Sequence, residues 1–349
     1  MTSRGFRGMG CFLIGATGEG VTVTGEALLG SVSDDPYDVR TFVRVVNPRQ
    51  LPAHVGTELI STSEHTLGER GYFASAGQAS RGVNENGLAF TSALVFEAET
   101  ADRQPALRPF CNLTDDLVNR CSTVRDAIKL FEAAGGTTPP VSILLADAEG
   151  GLAHVEIGSF GVNVNHHFTR TNPGMVFAVN CYLSQKLAPR NAENAVIEDE
   201  RNNNLARRQR GRQLADGARG TLDVPAIARI LSDHANEDRD PLDNPLLPAW
   251  GFSICNHGTR RRDDYPAEDL PWGTVSAEIL QPADRTLWYA YGWPCGRAPE
   301  YGDQIYQDRS WGEFVPFRLR QFDQEGQEIT ELTTPAGELT DVARRDALR

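Results

Sequence analysis

The segment Cys11-Phe12-Leu13-Ile14-Gly15-Ala16 constrains this chain more than any other. It is apolar at every position, follows Gly10 directly, and ends at the turn Gly18-Glu19-Gly20, beyond which Val21-Thr22-Val23-Thr24 resumes a β-branched pattern. Such a run reads as a strand buried from its first residue, and that first residue is a cysteine. Two readings of Cys11 follow. It is a small buried hydrophobe, or it is a nucleophile that draws its base from its own backbone. Scission of the Gly10–Cys11 bond would free an α-amine, which titrates at about 7.7–8.0 and takes a thiol proton without a histidine partner.

The pattern along the chain decides the fold class. Strands are expected at 11–17, 21–29 and 39–46, with a turn at Asp34-Asp35-Pro36-Tyr37. Two more are expected at 72–79 and 87–96, joined by a connector from Arg81 to Gly87 whose Asn86-Gly87 pair signals a hairpin. A helix is read over 114–134, restarted by Ser122-Thr123 and closed by Gly135-Gly136. Strands at 141–147, 151–157 and 175–180 follow, then helices at 204–215 and 224–232, and a last hairpin at 274–281 and 286–292. Strands come early, helices in the middle, and strands return. That order is α+β with antiparallel sheets, compatible with a four-layer αββα sandwich and a poor fit to a doubly wound parallel sheet. Residues 1–10 read as a short propeptide, 11–310 as the main domain, and the polar 311–349 as an extension packed on it or trailing from it.

Composition removes several classes of function. The net charge of −13 over 349 residues argues against a nucleic-acid partner, because phosphate binding needs a positive field. No apolar run reaches the length of a membrane span, and the first ten residues have no apolar core of a secretory signal, so a cytoplasmic protein is expected. Met1 and Met9 are both candidate starts. The six cysteines, at 11, 111, 121, 181, 255 and 295, form no CxxC and no cluster at zinc spacing, so no metal is expected. His166-His167 is a weak metal pair, since adjacent side chains on a strand face opposite ways. Gly15 to Gly20 lacks the GKS/T ending of a phosphate loop and leads into strand, where a phosphate loop leads into helix.

What remains is an ordered set of motifs. Gly10-Cys11 opens a strand, and Gly82-Val83-Asn84-Glu85-Asn86-Gly87-Leu88-Ala89 follows. Ala178-Val179-Asn180-Cys181-Tyr182-Leu183, Leu231-Ser232-Asp233-His234 and Ser253-Ile254-Cys255-Asn256-His257 come next. The set closes with Thr274-Val275-Ser276-Ala277-Glu278-Ile279-Leu280 and Leu287-Trp288-Tyr289-Ala290-Tyr291-Gly292-Trp293-Pro294-Cys295. In this order they resemble the acyl-coenzyme A:6-aminopenicillanic-acid acyltransferase (isopenicillin-N-acyltransferase-like) family of N-terminal-nucleophile hydrolases, over most of the chain from Cys11 to about Cys295.

The resemblance implies an αββα fold, self-cleavage before the cysteine, and amide hydrolysis or acyl transfer through a thioester. It maps the nucleophile to Cys11, the processing site to Gly10-Cys11, and the oxyanion asparagine to Asn180. An arginine role maps to Arg207, with Asn204 where the family pattern has serine. The aspartate that orients the α-ammonium maps to Asp34 or Asp35. Phe12, Tyr182, Phe252 and Trp293 are the aromatic candidates to line an acyl pocket. The expected substrate is a small N-acyl amide or an acyl thioester; no cofactor is expected, coenzyme A entering only as a thioester co-substrate, and a homo-oligomer is compatible. The alternatives are a non-catalytic binding or scaffold protein on the same fold with an uncleaved amino terminus, and a redox or metal enzyme that uses the cysteines.

Overall fold

In the computed structural model of the chain, Phe12, Ile14 and Ala16 turn to one side of the first strand and Cys11 and Leu13 to the other. Every residue of that strand is buried. Period-two alternation with both faces covered requires one layer above the strand and one below, and the architecture supplies both. The structure describes residues 11–36, 39–46, 51–61, 81–98, 100, 107–192, 195–233, 253–256, 272–296, 310–319 and 331–335.

In chain order the strands begin with β1 (Cys11–Thr17), β2 (Leu28–Pro36), β3 (Val39–Val46), β4 (His54–Ser61), β5 (Arg81–Asn84) and β6 (Leu88–Leu94). The short β7 (Arg108–Pro109) leads into helices α1 (Phe110–Arg120) and α2 (Val124–Ala134). Then come β8 (Thr137–Thr138), β9 (Val141–Asp147), β10 (Leu152–Gly158), β11 (Gly161–Phe168) and β12 (Gly174–Val179). Helices α3 (Ala195–Gly217) and α4 (Val224–Leu231) precede β13 (Trp272–Gln281), β14 (Thr286–Tyr291), β15 (Val315–Arg318) and β16 (Glu331–Pro335). A six-stranded sheet runs β12-β1-β2-β13-β14-β15 and an eight-stranded sheet runs β11-β10-β9-β6-β5-β4-β3-β16. All pairings within these two sheets are antiparallel.

The core divides as four layers demand. Leu13, Leu29, Val176 and Tyr289 of the first sheet meet Val43, Val55, Ala89 and Leu144 of the second between the sheets. Phe12, Ile14 and Val32 face Ala215 of α3 and Ile227 and Leu231 of α4. Phe90, Ile143 and Val155 face Leu113 and Leu117 of α1 and Phe131 of α2. Close approach is built in: a methyl on Gly30 would meet Ile227 at 2.6 Å, and one on Gly211 would meet the Phe12 ring at 2.1 Å. The fold is α+β, an αββα sandwich.

Several expected elements shift, each for a local reason. The second strand begins at Leu28, because Gly18, Gly20 and Gly25 all hold positive φ, at 94°, 73° and 72°, and fold 18–25 into a turn. The strand then runs through Asp34 and Asp35, where a turn was expected; Ser31 and Asp34 are buried and engaged by Glu278 and Arg207 on neighbouring elements. The expected connector at 81–87 contains β5, leaving only Glu85-Asn86-Gly87 as the turn. The helix read over 114–134 is two helices, the second starting from a Thr123–Asp126 capping box. Strands β4 and β11 lie where none was expected. The expected 311–349 extension supplies β15 and β16, one edge strand to each sheet, and Val315, Phe317 and Leu319 join the core between the sheets. The expected propeptide and the strand at 72–79 lie outside the described residues.

Candidate active site

Register brings the first residues of the site together. On one side of β1, Phe12 pairs with Val179 of β12, so Asn180, next in the chain, lies beside Cys11. The Cys11 backbone N–H donates to Asn180 Oδ1. The other end of that amide, Nδ2, is buried and has no hydrogen-bond partner. On the other side of β1, Cys11 pairs with Ser33 of β2. The thiol faces the space between the sheets, where Arg81 reaches it from β5 of the opposite sheet with Nη2 3.6 Å from Sγ.

Arg81 is about 1% exposed and is held at several points. Nε donates to Thr91 Oγ1 at 3.2 Å and Nη2 to the Ser92 carbonyl at 3.3 Å. Glu278 of β13 lies 3.5 Å from Nε and also accepts from the Ser31 hydroxyl at 2.9 Å and the Ser276 hydroxyl at 2.6 Å. Arg81 Nη1 has no hydrogen-bond partner. The sequence reading assigned neither Arg81 nor Glu278 a role. A signal was there: a carboxylate at an inward position of an otherwise apolar strand must find a cation or donors, and Arg81 opens the next sheet's strand.

The two aspartates left open by sequence separate by alternation. Residues 29, 31, 33 and 35 of β2 share the inter-sheet face with Cys11, whereas 28, 30, 32 and 34 face the helices. Asp34 therefore lies behind the sheet, where Arg207 of α3 pairs with it through Nη1 at 2.7 Å. Thr274 Oγ1 donates to Asp34 at 2.7 Å and Asn256 Nδ2 at 3.4 Å, while Arg207 Nη2 donates to the Ile254 carbonyl at 2.8 Å. Arg207, expected in the catalytic constellation, contacts Asp34 and Ile254 on the helix side, the opposite face from the thiol. Asp35 is the aspartate on the thiol's face, and its charge acts on both Cys11 and Arg81.

Burial raises the Cys11 thiol above its ordinary range; Arg81 pulls it down, Asp35 and Asp34 push it up, and the Asn180 side chain lowers it. Burial also raises Asp34 to about 6, outweighing Arg207, Thr274 and Asn256. Burial opposes the charge on Arg81, but Glu278, Cys11 and Asp35 more than offset it and the guanidinium stays charged.

Three of the aromatics expected to line an acyl pocket are among the described residues. Alternation sends Phe12 to the helix side, packed on Gly211 and Phe177. Tyr182 donates its hydroxyl to Glu97 at 2.6 Å and packs with Val95 and Leu187. Trp293 packs with Cys255 and Val275. Phe252 and Gly10 lie outside the described residues. Among the described residues there is no group of three or more His, Cys, Asp or Glu able to hold a metal, and no helix long and apolar enough to cross a membrane.

No family model matches the chain, and no curated protein matches it. Among solved structures, a mutant of conjugated bile acid hydrolase from Clostridium perfringens is similar at TM-score 0.50 and 12% identity, over 92% of this chain and 96% of that one. An N-acylethanolamine-hydrolyzing acid amidase ortholog from Caenorhabditis elegans aligns at TM-score 0.44 and 14% identity, over 86% and 99% of the two chains. Penicillin V acylase from Agrobacterium tumefaciens aligns at TM-score 0.46 and 13% identity, over 80% and 83%. With the first of these likenesses and the αββα layering, the chain has the fold of the N-terminal-nucleophile hydrolases.

Proposed function

We propose that this chain is an autoprocessed cysteine enzyme that cleaves an amide bond, or transfers an acyl group, through a thioester on Cys11. One observation carries the reading. The thiol heads β1 and faces the inter-sheet space, with a guanidinium 3.6 Å from Sγ and the Asn180 amide on its backbone nitrogen. The ordered motifs that resemble the isopenicillin-N-acyltransferase-like enzymes add support.

The steps follow from the groups present. Cleavage of the Gly10–Cys11 bond leaves an α-amine on Cys11, hydrogen-bonded to Asn180 Oδ1. That amine takes the Sγ proton, and Arg81 stabilises the thiolate that burial disfavours. Sγ attacks the carbonyl carbon of a small N-acyl amide or acyl thioester. The oxyanion accepts from Asn180 Nδ2, the donor that lacks a partner in the resting site. The ammonium then protonates the leaving nitrogen of an amide or the leaving sulfur of a thioester, the carbon–nitrogen or carbon–sulfur bond breaks, and the acyl group remains on Sγ. Water or an acceptor amine resolves the thioester. Asp35 is the carboxylate placed to orient the ammonium; Asp34 and Arg207 brace the strand from behind.

The test is an acid quench during turnover of N-acyl amides and acyl thioesters, followed by peptide mass mapping. The expected result is an acyl adduct on the peptide beginning at Cys11, discharged by hydroxylamine and absent from Cys11→Ala. Turnover by Cys11→Ala would overturn the proposal.

A further inference from the structure

Cys255 and Cys295 lie in segments far apart in the chain, yet Cys295 packs against the buried cluster of Cys255, Val275 and Trp293. Both are thiols in this structure. Each segment is anchored by its backbone. On one side, Cys255 N–H donates to the Asp233 carbonyl at 3.2 Å, and Asn256 N–H to Thr274 Oγ1 at 2.8 Å. On the other, Trp293 N–H donates to Ser310 Oγ at 3.0 Å, and Gly296 packs so closely that a methyl on it would meet the Gly312 backbone at 2.6 Å. Two thiols that share one packed cluster on anchored segments are placed to approach the disulfide separation of about 2.05 Å.

The residues beside Cys255 give the pair its consequence. Ile254 accepts from Arg207, and Asn256 donates to Asp34. A bond at Cys255 fixes the segment that satisfies both members of the ion pair behind the sheet, and ties it to the end of β14.

We propose that Cys255 and Cys295 form a thiol-modification site that reacts with small-molecule disulfides and closes to an intramolecular disulfide. Cys295 is half-buried and accessible, whereas Cys255 is about 1% exposed. The Cys295 thiolate attacks a disulfide R–S–S–R, forming a mixed disulfide and releasing one R–SH. The Cys255 sulfur then attacks Cys295 Sγ, the protein S–S bond forms, and the second R–SH leaves. Each cysteine gives up one proton and one electron, and the reagent is reduced to two thiols. Burial and the Cys295 neighbour hold the Cys255 thiol well above its ordinary range, which fits the resolving position over the attacking one.

The experiment equilibrates the reduced full-length chain with excess oxidised glutathione, quenches it in acid, alkylates it and maps the peptides. A linked Cys255–Cys295 peptide, lighter than the two reduced peptides by two hydrogens, is expected in the majority of chains. Cys255→Ser should stop at a glutathione adduct on Cys295, and Cys295→Ser should yield no linked peptide and an unmodified Cys255. A persistent glutathione adduct on Cys295 in the wild type would overturn the proposal. So would alkylatable thiols at both positions while the half-buried Cys111 is glutathionylated. The readout is mass alone, so the result stands apart from whether Cys11 is a nucleophile.

Discussion

Two buried ion pairs flank the same stretch of the six-stranded sheet, one on each face, and they are built differently. Arg207 and Asp34, on the helix side, meet at 2.7 Å, and hydroxyl, amide and carbonyl partners close around them. Arg81 and Glu278, on the inter-sheet side, stand 3.5 Å apart, and the guanidinium turns Nη2 toward the Cys11 sulfur. The first arrangement is a clamp whose members serve each other. The second puts a cation beside a nucleophile. A buried pair can hold a strand in place or tune a reacting group, and whether it touches the reacting atom separates the two uses.

Substitutions that spare one face should break or sharpen this contrast. The largest effect is expected from Arg207→Ala, which strands Asp34 in the core and should lower stability by about 3–5 kcal/mol in denaturant titration. A loss below about 1 kcal/mol would mean the clamp is not one. Arg81→Lys keeps the charge but loses the fork, and should slow acylation roughly 100-fold with a nearly unchanged unfolding midpoint. A mirror result, with stability lost and rate kept, would exchange the two roles.

The pH response distinguishes the faces as well. Asp34 is raised from 3.8 to about 6, so between those values the folded chain holds a proton that the unfolded chain has released. Its contribution to stability therefore falls as pH rises through that window and is level above it, by roughly 2–3 kcal/mol in all. Subtracting the pH–stability curve of Asp34→Asn from that of the wild type should isolate this slope; parallel curves would contradict it. Smallest is Gly211→Ala, whose methyl must displace the Phe12 ring on the helix side. It should cost about 1–3 kcal/mol and leave the Cys11 face unaltered, so the rate per folded molecule should stay at the wild-type value.

The sequence made the outline of the site legible, and less of its depth. Cys11 was visible because an apolar strand beginning with cysteine is unusual, and Asn180 because it ends another apolar strand. Register then places the two side by side, which spacing alone could not do: 169 residues separate them. The choice between Asp34 and Asp35 depended on which face each takes, and that required knowing that β2 starts at Leu28 and pairs Ser33 with Cys11. Arg81 was hidden because it lies in a strand of four residues beside a turn, on the other sheet, joined to the site only by the stacking of layers. Phe12 shows a related limit. Proximity in sequence to Cys11 or Asn180 carries no information about the face a side chain takes, and Phe12 must point away from whatever Cys11 points toward.

The central claim is that Cys11 is an amino-terminal nucleophile, and the intact mass of the purified protein beside Cys11→Ala tests it most directly. A wild-type chain beginning at Cys11, with the variant still carrying Gly10, is the predicted result. A wild-type chain that retains Gly10 would leave the thiol without its base and contradict the account.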